Sequence, residues 1–157
     1  MSDKREMLRH ALATIAYRGA KPLRDAPPAF VTFQAAPGVK TPVEILAHIS
    51  DLFDWALWLV EGEHRWRDAT PRSWGDEVDR FFATLAAFDA RLASGAPIAC
   101  REEKLLQGPI ADALTHVGQL AMLRRLSGAP MRSENYFAAD IAAGRVGAPQ
   151  TPPEREF

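Results

Sequence analysis

Gln107–Gly128, QGPIADALTHVGQLAMLRRLSG, decides how the chain folds. Pro109 suits a first helical position, where its missing N–H would have had no partner. Gly128 supplies a left-handed closing residue, and Pro130 prevents resumption. The spacing therefore predicts a helix over 109–127, with Arg124 and Arg125 at the end where the dipole favours cations. Ile110, Leu114, Val117 and Ala121 form one apolar stripe, and Ala113, Leu120 and Leu123 another. Along their border runs a polar row, Asp112, His116 and Gln119. Side chains four apart on a helix converge from one face, so Asp112 and His116 have the spacing to share one divalent metal. Spacing alone leaves a second reading open: a first-turn carboxylate that serves the dipole, and a histidine that is simply hydrogen-bonded. A metal site needs a third ligand from elsewhere.

Thr41-Pro42-Val43-Glu44 announces a helix over 41–62, with a threonine cap, proline at the first position and glutamate three after the cap. Its second half, Trp55 to Val60, is apolar all round, which predicts burial on more than one side. Leu57, Trp58 and Val60 exceed what one inward stripe needs, and a homodimer is expected to cover them. Glu44, His48, Ser50, Asp51 and Asp54 interrupt the segment and exclude a membrane span. His48 is either a core histidine bonded to a carboxylate or a metal ligand. In the second case Glu44 or Asp51 would orient its other ring nitrogen or act as a base. Glu44 has a competing task in the cap, so Asp51 is the freer candidate.

Working outward, Leu8, Leu12, Ile15 and Gly19 predict a helix over 2–20, with His10 facing water. Lys21–Lys40 carries five of the prolines and glycines that end regular structure: Pro22, Pro27, Pro28, Pro37 and Gly38. It is expected to be a stiff crossover that lets helices one and two run parallel. Glu63–Trp74 reads as a loop holding an exposed His64, with a possible place at a pocket mouth. Val78, Phe82, Leu85 and Leu92, flanked by Phe81 and Phe88, predict a helix over 75–94. Ala99–Leu106 reads as a short strand-like or irregular lead into the last long helix. A short helix over 133–143 is expected to dock through Tyr136, Phe137 and Ile141, before a proline-rich end.

These segments predict one all-α domain over 1–157, an up-down four-helix bundle with a long crossover and a short C-terminal helix. Nineteen basic residues against twenty acidic, with no basic block, argue against a nucleic-acid partner. The one cysteine, Cys100, cannot form an internal disulfide and suits a reducing compartment. The N-terminus has no continuous apolar run like that of a signal peptide, so a cytoplasmic location is expected, with no membrane partner.

PVEILAHISDLFDW in the second helix and DALTHVGQLAMLRRLSG in the fourth resemble the DinB/YfiT-like superfamily of four-helix bundles. In that family one helix-two histidine and an H-x-x-x-H pair on helix four hold a divalent metal. The resemblance implies His48 as the first ligand and His116 as the last, with Asp112 in the middle position, so that the motif here reads D-x-x-x-H. Gln119 matches a glutamine that often follows the last histidine by three. Two histidines and a carboxylate suit zinc, nickel, iron or manganese. Some relatives are transferases or isomerases that use a low-molecular-weight thiol, whose sulfur the metal would hold as thiolate. Three readings follow: a metal-dependent thiol transferase or hydrolase acting on a small molecule, a metal- or ligand-binding bundle without turnover, and a dimerising structural domain.

Overall fold

Ser2 starts the first helix by accepting a hydrogen bond from the Arg5 N–H at 3.3 Å, and Asp3 and Glu6 suit the positive end of the dipole. In the computed structural model, which describes residues 2–157, this helix is α1, Asp3–Leu23. It is followed by α2 (Pro28–Val31), α3 (Pro42–Val60), α4 (Trp74–Ala93), α5 (Glu102–Leu105) and α6 (Ala111–Leu126). One π-helical turn, Leu106–Ile110, joins α5 to α6. Apart from a single isolated bridge between Glu134 and Glu156, the regular structure of the described residues is helical, and the chain is all-α. Among these residues no helix is long and apolar enough to cross a membrane.

α1 packs against α4 and α6, and α3 packs against the same two, so the four long helices close a ring. Its interior is filled by Leu12 and Ile15 of α1, Leu46, Ile49 and Phe53 of α3, Phe81, Leu85 and Phe88 of α4, and Val117 and Leu120 of α6. On α4 the buried face centres on Phe81 and Phe88, with Val78 and Phe82 on its half-buried flank. Gly19 permits the approach of α1 to α4, since a Cβ there would stand 2.8 Å from Phe81 Cζ. The connection between α1 and α3 is pinned by Phe30, which is fully buried and meets the Trp74 ring edge-on at 5.7 Å. Arg124 donates to the carbonyls of Pro22 and Arg24 at 3.0 and 3.1 Å. It thus neutralises the end of α1 as well as serving its own helix.

Two expectations are corrected. The last long helical run begins at Glu102 rather than Pro109, and Ala99–Leu106 is not all irregular. Pro109 sits inside the π turn, where the Ala111 N–H reaches back five residues to the Leu106 carbonyl. The widened turn makes room for a ring that would strike the preceding turn of an α-helix. Second, residues 133–143 form turns, not a helix. Glu134 is drawn instead into a cluster with Tyr17 and Lys21, and Asn135 and Ser133 pair with Arg155 and Phe157. Tyr136 does dock, edge-on to Tyr17 and beneath Arg18 on α1, while Phe137 is wholly exposed. The apolar surplus of helix two is only partly covered within the chain, since Trp58 stays 39% exposed. Val60 is buried, Leu57 packs on the core, and Arg65 lies 4.2 Å above the Trp58 ring.

α3 and α4 are held in register by Arg80. Its guanidinium bonds to Asp51 and, at 2.7 Å, to Asp54. It donates to the Ala47 carbonyl at 3.4 Å and stands 3.7 Å from Glu77, whose side chain is fully buried. Removing one member of such a cluster leaves charges stranded out of water. Arg80→Ala is expected to lower the unfolding free energy by about 3–5 kcal/mol, read from the midpoint and slope of urea denaturation.

Candidate metal centre

His48 lies in the first half of α3, one turn beyond Glu44, on the border between the buried Ile45, Ile49 and Leu52 and the solvent side. Asp112 and His116 lie on the corresponding border of α6, whose buried row is Ala113, Val117, Leu120 and Leu123. Because α3 and α6 pack together, the two borders meet. The His48 and His116 ring centroids are 4.6 Å apart. One ligand-competent atom from each of His48, Asp112 and His116 falls within 4.8 Å of the others, and all three residues are half-buried.

The Asp112 carboxylate stands between the imidazoles. Its Oδ2 is 3.7 Å from His48 Nε2, and its Oδ1 is 3.3 Å from His116 Nδ1. The first separation is too long for a hydrogen bond. It is close to the spacing of about 3.4 Å expected for two donors each ~2.1 Å from one tetrahedral ion. His116 Nδ1 is also 2.8 Å from the backbone carbonyl of Asp112. A carbonyl only accepts, so Nδ1 carries the proton and Nε2 keeps the free lone pair. This backbone contact is the kind of support that sets a metal-binding imidazole's tautomer. Burial pushes the His48 pKa down, the neighbouring His116 adds to the effect, and Asp112 opposes it. The neutral, metal-binding form is thereby favoured.

Glu44 and Asp51 line a cavity of about 200 Å³ together with His48; one oxygen of Glu44 and both oxygens of Asp51 have partners elsewhere. Glu44 accepts from the Thr41 N–H and hydroxyl at 2.7 and 2.8 Å, and the backbone bond foremost holds its pKa below the usual range. Asp51 gives one oxygen to Arg80 and the other to the Ala69 N–H at 3.0 Å. The polar contacts of His48 run to Asp112, not to either of these carboxylates. His64 is exposed, 5.4 Å from the Trp55 ring centroid. Gln119 lines a second cavity beside His116, of about 690 Å³.

Two neighbours of the centre escaped sequence reasoning. Trp66 meets the His48 ring edge-on at 5.6 Å and Trp55 at 5.9 Å, so the 61–73 loop forms one wall. Its position depends on the Asp51–Ala69 bond across the fold, for which no local pattern exists. Lys40 lines both cavities. Its signal was available: a cation just before a helix cap opposes the dipole.

Comparison with protein-family models, curated proteins and solved structures finds no match to this chain. The tautomer is open to direct measurement. Long-range ¹H–¹⁵N NMR of the neutral, metal-free protein is expected to show His116 protonated on Nδ1, opposite to the usual preference of free imidazole for Nε2.

Proposed function

We propose that this chain binds one divalent metal ion through His48, Asp112 and His116 and uses it on a small-molecule substrate, in transfer to a thiol or in hydrolysis. The observation that carries the reading is the convergence of three donors, from helices far apart in sequence, within 4.8 Å of one another. Three protein ligands with cavities on either side suit a site that leaves a coordination position for substrate, whereas purely structural zinc is usually enclosed by four. The motif resemblance to DinB/YfiT-like bundles, and an up-down arrangement of the four long helices, are consistent with it. Two imidazoles and one carboxylate leave zinc, nickel, iron and manganese as candidates.

The residues divide the work. His48 and His116 offer neutral nitrogens, the second oriented through its Nδ1–H. Asp112 brings the negative charge, lowering the net charge of a divalent site from +2 to +1 and matching a hard cation. A bound ion would supply Lewis acidity, polarising a substrate oxygen or lowering the pKa of a thiol. Trp66, backed by Trp55, flanks one side of His48. Asp51, with both oxygens bound, supports the loop, while Glu44 caps the helix start through one oxygen and keeps the other.

Elemental analysis of untagged protein tests this. About one equivalent of metal is expected in the parent, as one three-ligand site requires, and little in His48→Ala or Asp112→Ala at unchanged helical circular dichroism. Asp112→His is expected to retain the ion. Undiminished metal in Asp112→Ala would reduce that carboxylate to a partner of the helix dipole.

A further inference from the structure

The larger cavity next to His116 has a composition that selects its occupant. Val39, Ile45 and Met122 give it apolar walls, Lys40 is its one charged residue, and no carboxylate lines it. Lys40 is exposed, and the acidic groups around it are engaged by other partners. Glu44 is held by Thr41, Asp51 by Arg80 and Ala69, and Asp68 by the Trp66 indole at 3.2 Å. A cation is thus placed against the positive end of α3 with no ion pair among the described residues and only the more distant Glu44 charge to offset it, an arrangement that an incoming anion relieves.

A second observation points to a ligand independently of charge. Gly118 is an exposed glycine in the middle of α6, where glycine costs roughly 1 kcal/mol of helix stability relative to alanine. Its conformation does not require it, since its φ is not positive, and a Cβ there would meet nothing within 4 Å. This differs from Gly19, which Phe81 holds to a hydrogen. The bare backbone at Gly118 deepens the same cavity that Lys40 borders.

We propose that this groove binds an amphipathic carboxylate, with its anionic group paired to Lys40 and its apolar chain laid over Gly118 between Val39, Ile45 and Met122. The proposal rests on the metal reading in making such a molecule the substrate presented to the centre at His116. The recognition itself belongs to groove residues that are not metal ligands. The unpaired cation favours this occupant over a second copy of the chain, whose docking would bury Lys40 without an evident partner charge.

Isothermal titration calorimetry with sodium octanoate, on zinc-loaded full-length protein at low salt, tests it. Octanoate is expected to bind at least about tenfold more tightly than 1-octanol, the worth of one charge-assisted contact. Lys40→Gln should remove that advantage. Gly118→Leu, which should not harm the helix, is expected to abolish binding while zinc content and circular dichroism stay as in the parent. His48→Ala should lose zinc and keep octanoate. Equal affinity for octanol and octanoate would overturn the proposal. So would octanoate binding that survives Lys40→Gln but fails in His48→Ala, which would put the carboxylate on the metal. A change of oligomeric state in Gly118→Leu would overturn it too, by making the groove a contact between copies. A parent that binds no zinc yet takes octanoate through Lys40 and Gly118 would uphold the groove and end the metal reading instead.

Discussion

The ion-pair cluster around Arg80 is the constraint on which the functional end of the molecule depends. Its guanidinium takes Asp51 and Asp54 from two successive positions on one side of α3, with the Ala47 carbonyl and Glu77 nearby. Such a cluster contributes little net stability compared with a well-packed apolar replacement, because Arg80, Asp51 and Glu77 must leave water, though Asp54 stays partly exposed. Its contribution is to geometry, since α3 cannot slide along α4 without stranding a carboxylate. The second oxygen of Asp51 passes the constraint to the 61–73 loop through the Ala69 N–H. That loop sets Trp66 against His48. Helix register, loop anchor and the wall of the centre are thus one connected arrangement.

The opposite strategy holds the C-terminal segment. Tyr17 donates to Glu134, and Lys21 lies 3.1 Å from both Glu134 and Glu156. Burial, with the Glu134 carboxylate beside it, pushes the Tyr17 pKa well above its usual value, so the hydroxyl stays a donor. One lysine between two carboxylates ties both ends of the segment to α1, while its backbone pairs with itself, Asn135 N–H to the Arg155 carbonyl and Phe157 N–H to the Ser133 carbonyl. The segment is therefore ordered by α1 and not by a helix of its own.

The candidate centre stands between these two regimes. It is neither dry enough to need full internal charge compensation nor open enough for its groups to be simply hydrated. Its imidazoles each border a different cavity, and Lys40 is common to both. An ion held there would have protein on one side and room on the other. That balance comes from putting polar residues along the edge of an amphipathic stripe, since a residue at the seam of two packed helices is half-buried.

The starts of α3 and α4 and the end of α6 were legible because they are local, whereas α1 runs on through Pro22 to Leu23, past its expected end. Thr41, Pro42 and Glu44 form their cap within one turn, Ser73 caps α4 through the Asp76 N–H, and Gly128 has the positive φ that closes α6. The one-turn spacing of Asp112 and His116, and the placing of His48 on a helix border, were legible for the same reason. Two readings of local pattern misled. Pro109 looked like a start because a π turn that accommodates proline has no sequence period, and 133–143 looked helical because its competing partners, Tyr17 and Lys21, lie more than a hundred residues away. Tertiary structure alone decided that Asp51 serves Arg80 instead of His48, that Trp66 lies against His48, and that Val60 is buried in the core. Capping and hydrophobic periodicity act over three or four residues and are written in the sequence. Which carboxylate meets which cation is settled only when packed helices bring distant charges to the same few ångströms and each must find a partner or remain in water.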